Sequence, residues 1–410
     1  MSNEPSMKHN RHSYMYIKCH VIEIFWLLVP SLAVLAFNLV RGTFVDIGPD
    51  AKLYLSIADN FISTGHFIQT ARPIEKFVVP FGVPLILTVF RAVRLPVEAI
   101  IAVQHFMLGL TCMLLYKTEH VLFGKGGFAS LFFCVAMLRT RLNPNNIYLE
   151  HYFLLLLAVL LYLSVQTEMP DKKRLTLMNA AGVYMVACRA VLAPVYIAVL
   201  VYSFVVFLRR RISAGRFAAF LLIPVVLFGC NTLVNYRETG YPIVMDSYSG
   251  DGFYCANNPN ASTGYYSRSI FDTIGDAYYA VKDDPNLDFV EKNERLKEMG
   301  KEWVLENPGK FLTNTVQKFR EDFIWIWRYT LIPCFLGAMH MIAAEQKRRK
   351  WGILTLAINL IVAVITSMGL VVPRYTVVVW PLAALHLSAI THPTLKRLTE
   401  RFSRKRKINA

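Results

Sequence analysis

Acid is scarce in this chain: 28 Asp and Glu stand against 44 Lys and Arg, leaving a formal net charge of +16 over 410 residues. Devices for soluble phosphate donors are missing. No glycine-rich phosphate loop and no dinucleotide fingerprint occurs, so nothing here is built to hold ATP or a dinucleotide by those means. The seven cysteines, Cys19, Cys112, Cys134, Cys188, Cys230, Cys255 and Cys334, show neither a C-x-x-C pair nor Cys/His spacing, which argues against a metal centre. No internal repeat is visible, which speaks against the paired halves of many transporters. No small-residue cleavage site follows the first apolar run, which starts near Val21 and is expected to act as a signal anchor.

Hydrophobic residues are what the chain has in abundance, at 55% of the total with a mean hydropathy of +0.39. No single soluble core hides that much, so the expected class is an all-α polytopic membrane protein. Runs long enough to approach the bilayer core fall near residues 22–40, 97–117, 127–142, 147–166, 175–188, 191–208, 217–235, 323–343, 352–370 and 374–391. They predict about ten transmembrane helices, several of them short or interrupted.

Basic residues orient these spans. With the N-terminus in the cytoplasm, every dense cluster falls inside: Lys8, Arg11 and Lys18; Lys117 and Lys125; Lys172 to Arg174; Arg209 to Arg211 with Arg216; Lys347 to Lys350; and the tail from Lys396 to Lys407. Both termini are therefore expected in the cytoplasm. The positive charge reads as loops beside anionic lipid, with the bilayer and not nucleic acid as partner. The expected organisation is a cytoplasmic segment 1–21, a transmembrane half 22–235 containing an external loop 41–96, an external segment 236–322, C-terminal transmembrane helices 323–392 and a basic tail 393–410. Only Cys255 then stands firmly in an external segment, so no external intramolecular disulfide is expected.

The two long external segments depart from lipid-like composition. The first contains "DIGPDAKLYLSIADN", Asp46 to Asn60, and from Ala51 to Ser63 polar Lys52, Ser56, Asp59, Asn60 and Ser63 recur at helical spacing opposite Leu53, Tyr54, Ile57, Ala58, Phe61 and Ile62. That predicts an amphipathic helix in the membrane interface, ended by Gly65. A second interfacial or re-entrant helix is predicted over Pro80 to Arg94. Asn235 to Ser267 is rich in Gly, Asn, Ser and Tyr and reads as turns with short strands, giving a small external α/β segment. A helix is predicted to start at Pro308, followed by an aromatic belt from Phe319 to Tyr329. Asn260-Ala-Ser262 is a glycosylation sequon.

A set of motifs runs in order along most of the chain. The first loop carries Gly48, Pro49, Asp50, Tyr54, Leu55, Ile57 and Ala58, then Gly65 and Phe67, then Pro80, Gly82, Pro84 and Leu85. "NPNNIYLEHYF" from Asn143, "CRAVLAP" with Arg189, the run ending "CANNPNASTGYY", "NPGKFLTNTVQKF" and "VPRYTVVVWP" follow. Together they resemble the glycosyltransferase C superfamily, specifically bacterial enzymes related to protein O-mannosyltransferases and lipid A aminoarabinose transferases. Two places depart from the family pattern: Ala51 follows Asp50 where many relatives have Glu, and the proline of the Arg-Pro element stands at Pro194.

The resemblance implies inverting transfer of a sugar from a polyprenyl-phosphate donor to a glycan, lipid or protein acceptor, at the external face of a bacterial inner membrane. Such transfer needs a base for the acceptor hydroxyl and donors for the departing phosphate. Asp50 is the candidate base; its plain alternative is charge placed at a helix start. Arg72, Lys76, Arg189 and Arg374 are candidates for the donor phosphate, against simple snorkelling to headgroups. Tyr54, Glu150, His151 and Tyr375 are candidates for orienting the acceptor or for structure. Asp59 reads as part of a solvated polar face. No metal ligands are assigned and no cofactor is identified, although a divalent ion is compatible with the chemistry. A flippase for a lipid-linked saccharide, or a non-catalytic assembly subunit, are the competing readings.

Overall fold

A backbone that crosses hydrocarbon must satisfy its own N–H and C=O groups, and a helix does so within one segment. The computed structural model of the protein follows that rule, with no strand among the described residues. It describes residues 5–43, 45, 47–71, 78–139, 144–209, 214–261, 274–323, 328–344, 346–368, 377 and 379–408, without side chains at 5–19, 139, 214, 216, 322, 347 and 395–408.

In chain order the helices are α1 Pro5–Val40, α2 Pro49–Thr64, α3 Gly82–Ala92, α4 Val97–Phe123, α5 Phe128–Arg139, α6 Leu149–Val165, α7 Asp171–Cys188, α8 Ala193–Arg209 and α9 Ala214–Thr239. They continue as α10 Ser249–Ala256, α11 Asp276–Lys282, α12 Phe289–Glu306, α13 Pro308–Asp322, α14 Arg328–Ile342, α15 Gln346–Ser367 and α16 Trp380–Ile408. Each predicted apolar run overlaps a helix, although residues 140–142, 324–327, 369–376 and 378 lie outside the described residues. Five stretches are long and apolar enough to cross a membrane, His20–Val40, Val97–Phe123, Ala190–Arg209, Phe217–Thr239 and Arg348–Ser367, consistent with an integral membrane protein. The others fall short of the length or hydropathy of a lone span. α5 has 12 residues and α6 has 17, while α7 opens on Asp171, Lys172, Lys173 and Arg174.

The first-loop helices form where the sequence placed them. α2 begins at Pro49, whose missing N–H suits a first helical turn, and ends where Gly65 turns left-handed at φ +76°. It buries Ala51, Tyr54, Ile57 and Ala58. The short strands expected after Asn235 are absent from the described residues. Residues 249–256 are helical instead, because Gly250 lets α10 lie directly on α12: a Cβ there would stand 1.9 Å from the carbonyl oxygen of Asn293. Tyr254, Cys255, Ile274, Tyr278 and Leu296 give this segment a small core of its own. α12 starts with a capping box, Asp288 accepting from Glu291 N and Glu291 from Asp288 N.

Small residues set the close crossings of the bundle. α1 and α4 meet at Gly109, where a Cβ would lie 1.9 Å from Leu27 O and 2.3 Å from Ser31 Oγ. Ser31 donates to His105 O at 2.7 Å, and Asn38 Nδ2 reaches His105 Nε2 at 3.2 Å. Such contacts hold helices together where lipid gives no hydrophobic drive for association. α14 meets α16 at Gly337 in the same way, against His386. Outward-facing apolar residues on α8 and α9, among them Ile197, Val201, Phe204, Leu222 and Val225, stay exposed, as lipid contact requires.

The two ends of the bundle differ. One end, called the loop end here, gathers the start of α2, the start of α6, the end of α7 and the segment after α9. The basic end carries Arg174, Arg209 and Lys350, and buries Glu119 against the N–H groups of Gly127 and Ala129 and against His392 Nε2 at 2.7 Å. Overpacking the α1–α4 crossing is expected to be costly. Gly109→Ala should destabilise by about 1–3 kcal/mol, whereas Gly229→Ala, with nothing within 4 Å of its Cβ, should be neutral or slightly stabilising; thermal unfolding in detergent distinguishes the two.

Candidate active site at the loop end

Three stretches distant in sequence are bound together here by hydrogen bonds to backbone. Gln104, fully buried on α4, donates to Pro144 O at 3.2 Å and Asn146 O at 2.8 Å, which fixes the turn ahead of α6. Asn145 Nδ2 donates to Thr43 O at 2.7 Å, and Gly48 N reaches Asn146 Oδ1 at 3.4 Å. A side chain at position 48 would crowd the Asn146 amide, since its Cβ would come within 2.7 Å of Asn146 Nδ2. The Gly48-Pro49-Asp50 start of α2 is thereby held against the turn that leads to Glu150 and His151. Asp50 sits half-buried in the first turn of α2, its negative charge at the positive end of the helix dipole.

Glu150 opens α6 and is joined to Arg189, the residue just after α7: Nη1 of Arg189 and Oε1 of Glu150 lie 2.8 Å apart, with the side chains 13% and 1% exposed respectively. The second oxygen of Glu150 is buried without a hydrogen-bond partner among the described residues. Gly82 packs on the same place. A Cβ on it would lie 2.7 Å from Cys188 N, and Tyr184 donates its hydroxyl to Gly82 O. The first-loop motif, the turn before α6 and the Arg189 element therefore meet at one end of the bundle.

The segment after α9 closes over this assembly. Glu238, 5% exposed, accepts from His66 Nδ1 at 2.9 Å and from Phe67 N at 3.3 Å. Val78 and Ser247 exchange hydrogen bonds, Val78 N to Ser247 Oγ at 2.9 Å and Ser247 N to Val78 O at 3.1 Å. Further on, Asn257 Nδ2 donates to Met368 O at 3.0 Å at the end of α15, while the wholly buried Lys318 of α13 donates to Ala256 O. The "CANNP" element is thus tied to the end of α15.

Asp246 lies beside Ser247 at this junction. Burial pushes its carboxyl above the ordinary aspartate value, although N–H groups of Tyr248 and Ser249 and the charge of Lys297 pull the other way. Its Oδ1 is buried without a hydrogen-bond partner among the described residues.

Of the sequence candidates, Asp50, Glu150, His151 and Arg189 come to this end. Tyr54 is buried in the core at 5% exposure, which gives it a packing role. Asp59 is exposed but not merely solvated, because Arg91 Nε pairs with it at 2.7 Å and joins α2 to α3. Arg72, Lys76, Arg374 and Tyr375, with Asp46 and Ser262 of the sequon, lie outside the described residues. Gln104, Glu238, Asp246 and Lys318 were not singled out in the sequence; Gln104 is an isolated polar residue in an apolar run, and the other three sit in polar stretches whose burial depends on distant partners. Among the described residues no three His, Cys, Asp or Glu side chains gather to hold a metal ion. Comparison with family models, curated proteins and solved structures finds no match to this chain.

Two expectations follow. Removing one member of the buried pair leaves the other charge stranded, so Arg189→Met should cost about 3–5 kcal/mol, and adding Glu150→Gln should recover most of that in a double-mutant cycle of thermal stability. For Asp246, the folded protein binds the proton more tightly than the unfolded chain, so its contribution is present below the ordinary value of 3.8 and is lost as pH rises through the raised folded value. Wild type should therefore lose stability relative to Asp246→Asn as pH rises from about 4 to 7; unfolding curves at a series of pH values check the sign.

Proposed function

We propose that this protein is an integral membrane glycosyltransferase that moves a sugar from a polyprenyl-phosphate carrier to a hydroxyl of an envelope lipid, polysaccharide or protein. One observation carries this reading. The motifs that resemble the glycosyltransferase C superfamily are scattered along the sequence, yet those among the described residues converge at the loop end: Gly48-Pro49-Asp50, Gly82, the turn into Glu150, Arg189 and the "CANNP" element.

In the proposed reaction the Asp50 carboxylate takes the proton of the acceptor hydroxyl. The acceptor oxygen then forms a bond to the anomeric carbon from the face opposite the phosphate. The bond between that carbon and the phosphate oxygen breaks, its electron pair leaves with the phosphate, and configuration inverts. Arg72, Lys76, Arg189 and Arg374 are assigned to the phosphate charge. Glu150 has a different part: it holds Arg189 in place. His151, 3% exposed, shapes the floor beneath, and Tyr375 is assigned to the acceptor side.

The same reading makes the apolar helical segments about ten crossings, with the short ones inside the bundle. It puts the loop end outside a bacterial inner membrane, and both the first and last basic segments in the cytoplasm. Support for the orientation comes from the gathering of Arg174, Arg209 and Lys350 at the opposite end.

The test is sugar transfer in proteoliposomes carrying the native lipid donor. Asp50→Asn should lower kcat by about 100- to 10,000-fold, the usual worth of a general base, with donor binding retained. Transfer by Asp50→Asn at the wild-type rate would remove Asp50 from the reaction.

A further inference from the structure

We infer that the basic end of the bundle carries a lipid site separate from the proposed donor site, one that takes an acyl chain of an anionic glycerophospholipid. A cavity of about 760 Å³ lies between α6, α7, α8 and α15, within the about 300–1,000 Å³ typical of ligand pockets. Its inner wall is aliphatic, with Leu157, Leu161, Val195 and Ile358. Its outer rim is cationic.

Arg174 is the buried part of that rim, its side chain only 8% exposed. It donates to Gln166 O at 2.7 Å, Asp171 Oδ1 at 2.7 Å and Tyr202 Oη at 2.9 Å. Its Nε is buried on the cavity with no hydrogen-bond partner among the described residues. Asp171 balances Arg174, which leaves Arg209 and Lys350 as excess positive charge at the mouth. Neither makes an ion pair among the described residues.

Shape and access select the ligand class. Val205 of α8 and Leu354 of α15 both line the cavity and are both exposed large hydrophobics, so the cavity opens sideways onto the face that meets lipid. From Val165 to Leu157 along α6 the wall runs about 12 Å, and from Arg209 to Val195 along α8 about 21 Å, by helical rise. Those lengths bracket the depth of one leaflet, about half of the ~30 Å hydrocarbon core. One acyl chain fits that depth, with a phosphate at the level of Arg209 and Lys350. Two unpaired cations favour an anionic headgroup over a zwitterionic one.

Native mass spectrometry of the full chain, titrated in detergent with phosphatidylglycerol, phosphatidylcholine, a polyprenyl phosphate or inorganic phosphate, tests the inference. Wild type should retain one phosphatidylglycerol about tenfold or more over phosphatidylcholine, and R209Q/K350Q should lose that preference. A198F, which puts a ring into the cavity, should weaken both phospholipids. Asp50→Asn should leave all of this unchanged, so failure of the proposed transfer reaction does not decide this point. Equal retention of the two phospholipids by wild type, an unchanged preference in R209Q/K350Q, or displacement by inorganic phosphate or the polyprenyl phosphate would overturn the assignment.

Discussion

Glu150 and Arg189 face each other 2.8 Å apart with almost no access to water, and the loop end is arranged around that fact. A charge in such a place is tolerated only beside its counter-charge, which ties the first turn of α6 to the residue just after α7. The tie dictates its surroundings. α7 must stop at Cys188 and the chain must turn through the short 3₁₀ segment Ala190–Leu192 before α8 can begin. Gly82 then has to be glycine, because the backbone of Cys188 occupies the space a side chain would need. The turn from Pro144 to Tyr148 is fixed from beneath by Gln104, and through Asn146 it fixes the start of α2. Asp50 owes its position to this sequence of constraints.

The opposite end is organised by the same physics with the signs reversed. Glu119 is a buried acid surrounded by N–H donors and His392, and Arg174 is a buried cation held by a carbonyl, a carboxylate and a phenol. Between the ends, glycines at 109 and 337 let helices touch backbone to backbone. The result is a bundle that is tightly interlocked inside and apolar outside. Its two polar layers are well separated along the helix axes, so chemistry at one need not disturb lipid contacts at the other.

What could be read from the sequence followed from local rules. Apolar runs gave the helices, Pro49 and Gly65 bounded α2, and Pro308 opened α13, because these signals act within a few residues. Span length was read less well, since a short apolar run such as α5 does not reveal whether it meets lipid or protein. The strands expected near Gly250 failed for a related reason. Gly, Ser and Tyr there suggest turns, yet α10 gains its stability from packing on α12, which composition does not encode. Long-range pairs were invisible in the same way: Asp59 meets Arg91 across the α2–α3 loop, and Lys318 reads as one more charge on an amphipathic helix until Ala256 is folded onto it. At the site, Asp50 and Arg189 were found through motif order, while their mutual support by Gln104, Asn146 and Glu150 needed the fold.

The central claim is that the loop end receives the polyprenyl-phosphate donor at the place where the motifs converge. A photoreactive polyprenyl-phosphate-sugar analogue, cross-linked to the protein in membranes and mapped by peptide mass spectrometry, addresses it most directly. Labelling confined to peptides spanning residues 44–58, 72–85, 143–152, 187–194 and 369–376, and suppressed by excess unlabelled donor, is the predicted result. Labelling concentrated on the cavity at the basic end, around Arg209 and Lys350, or spread evenly over the lipid-facing helices, would contradict it.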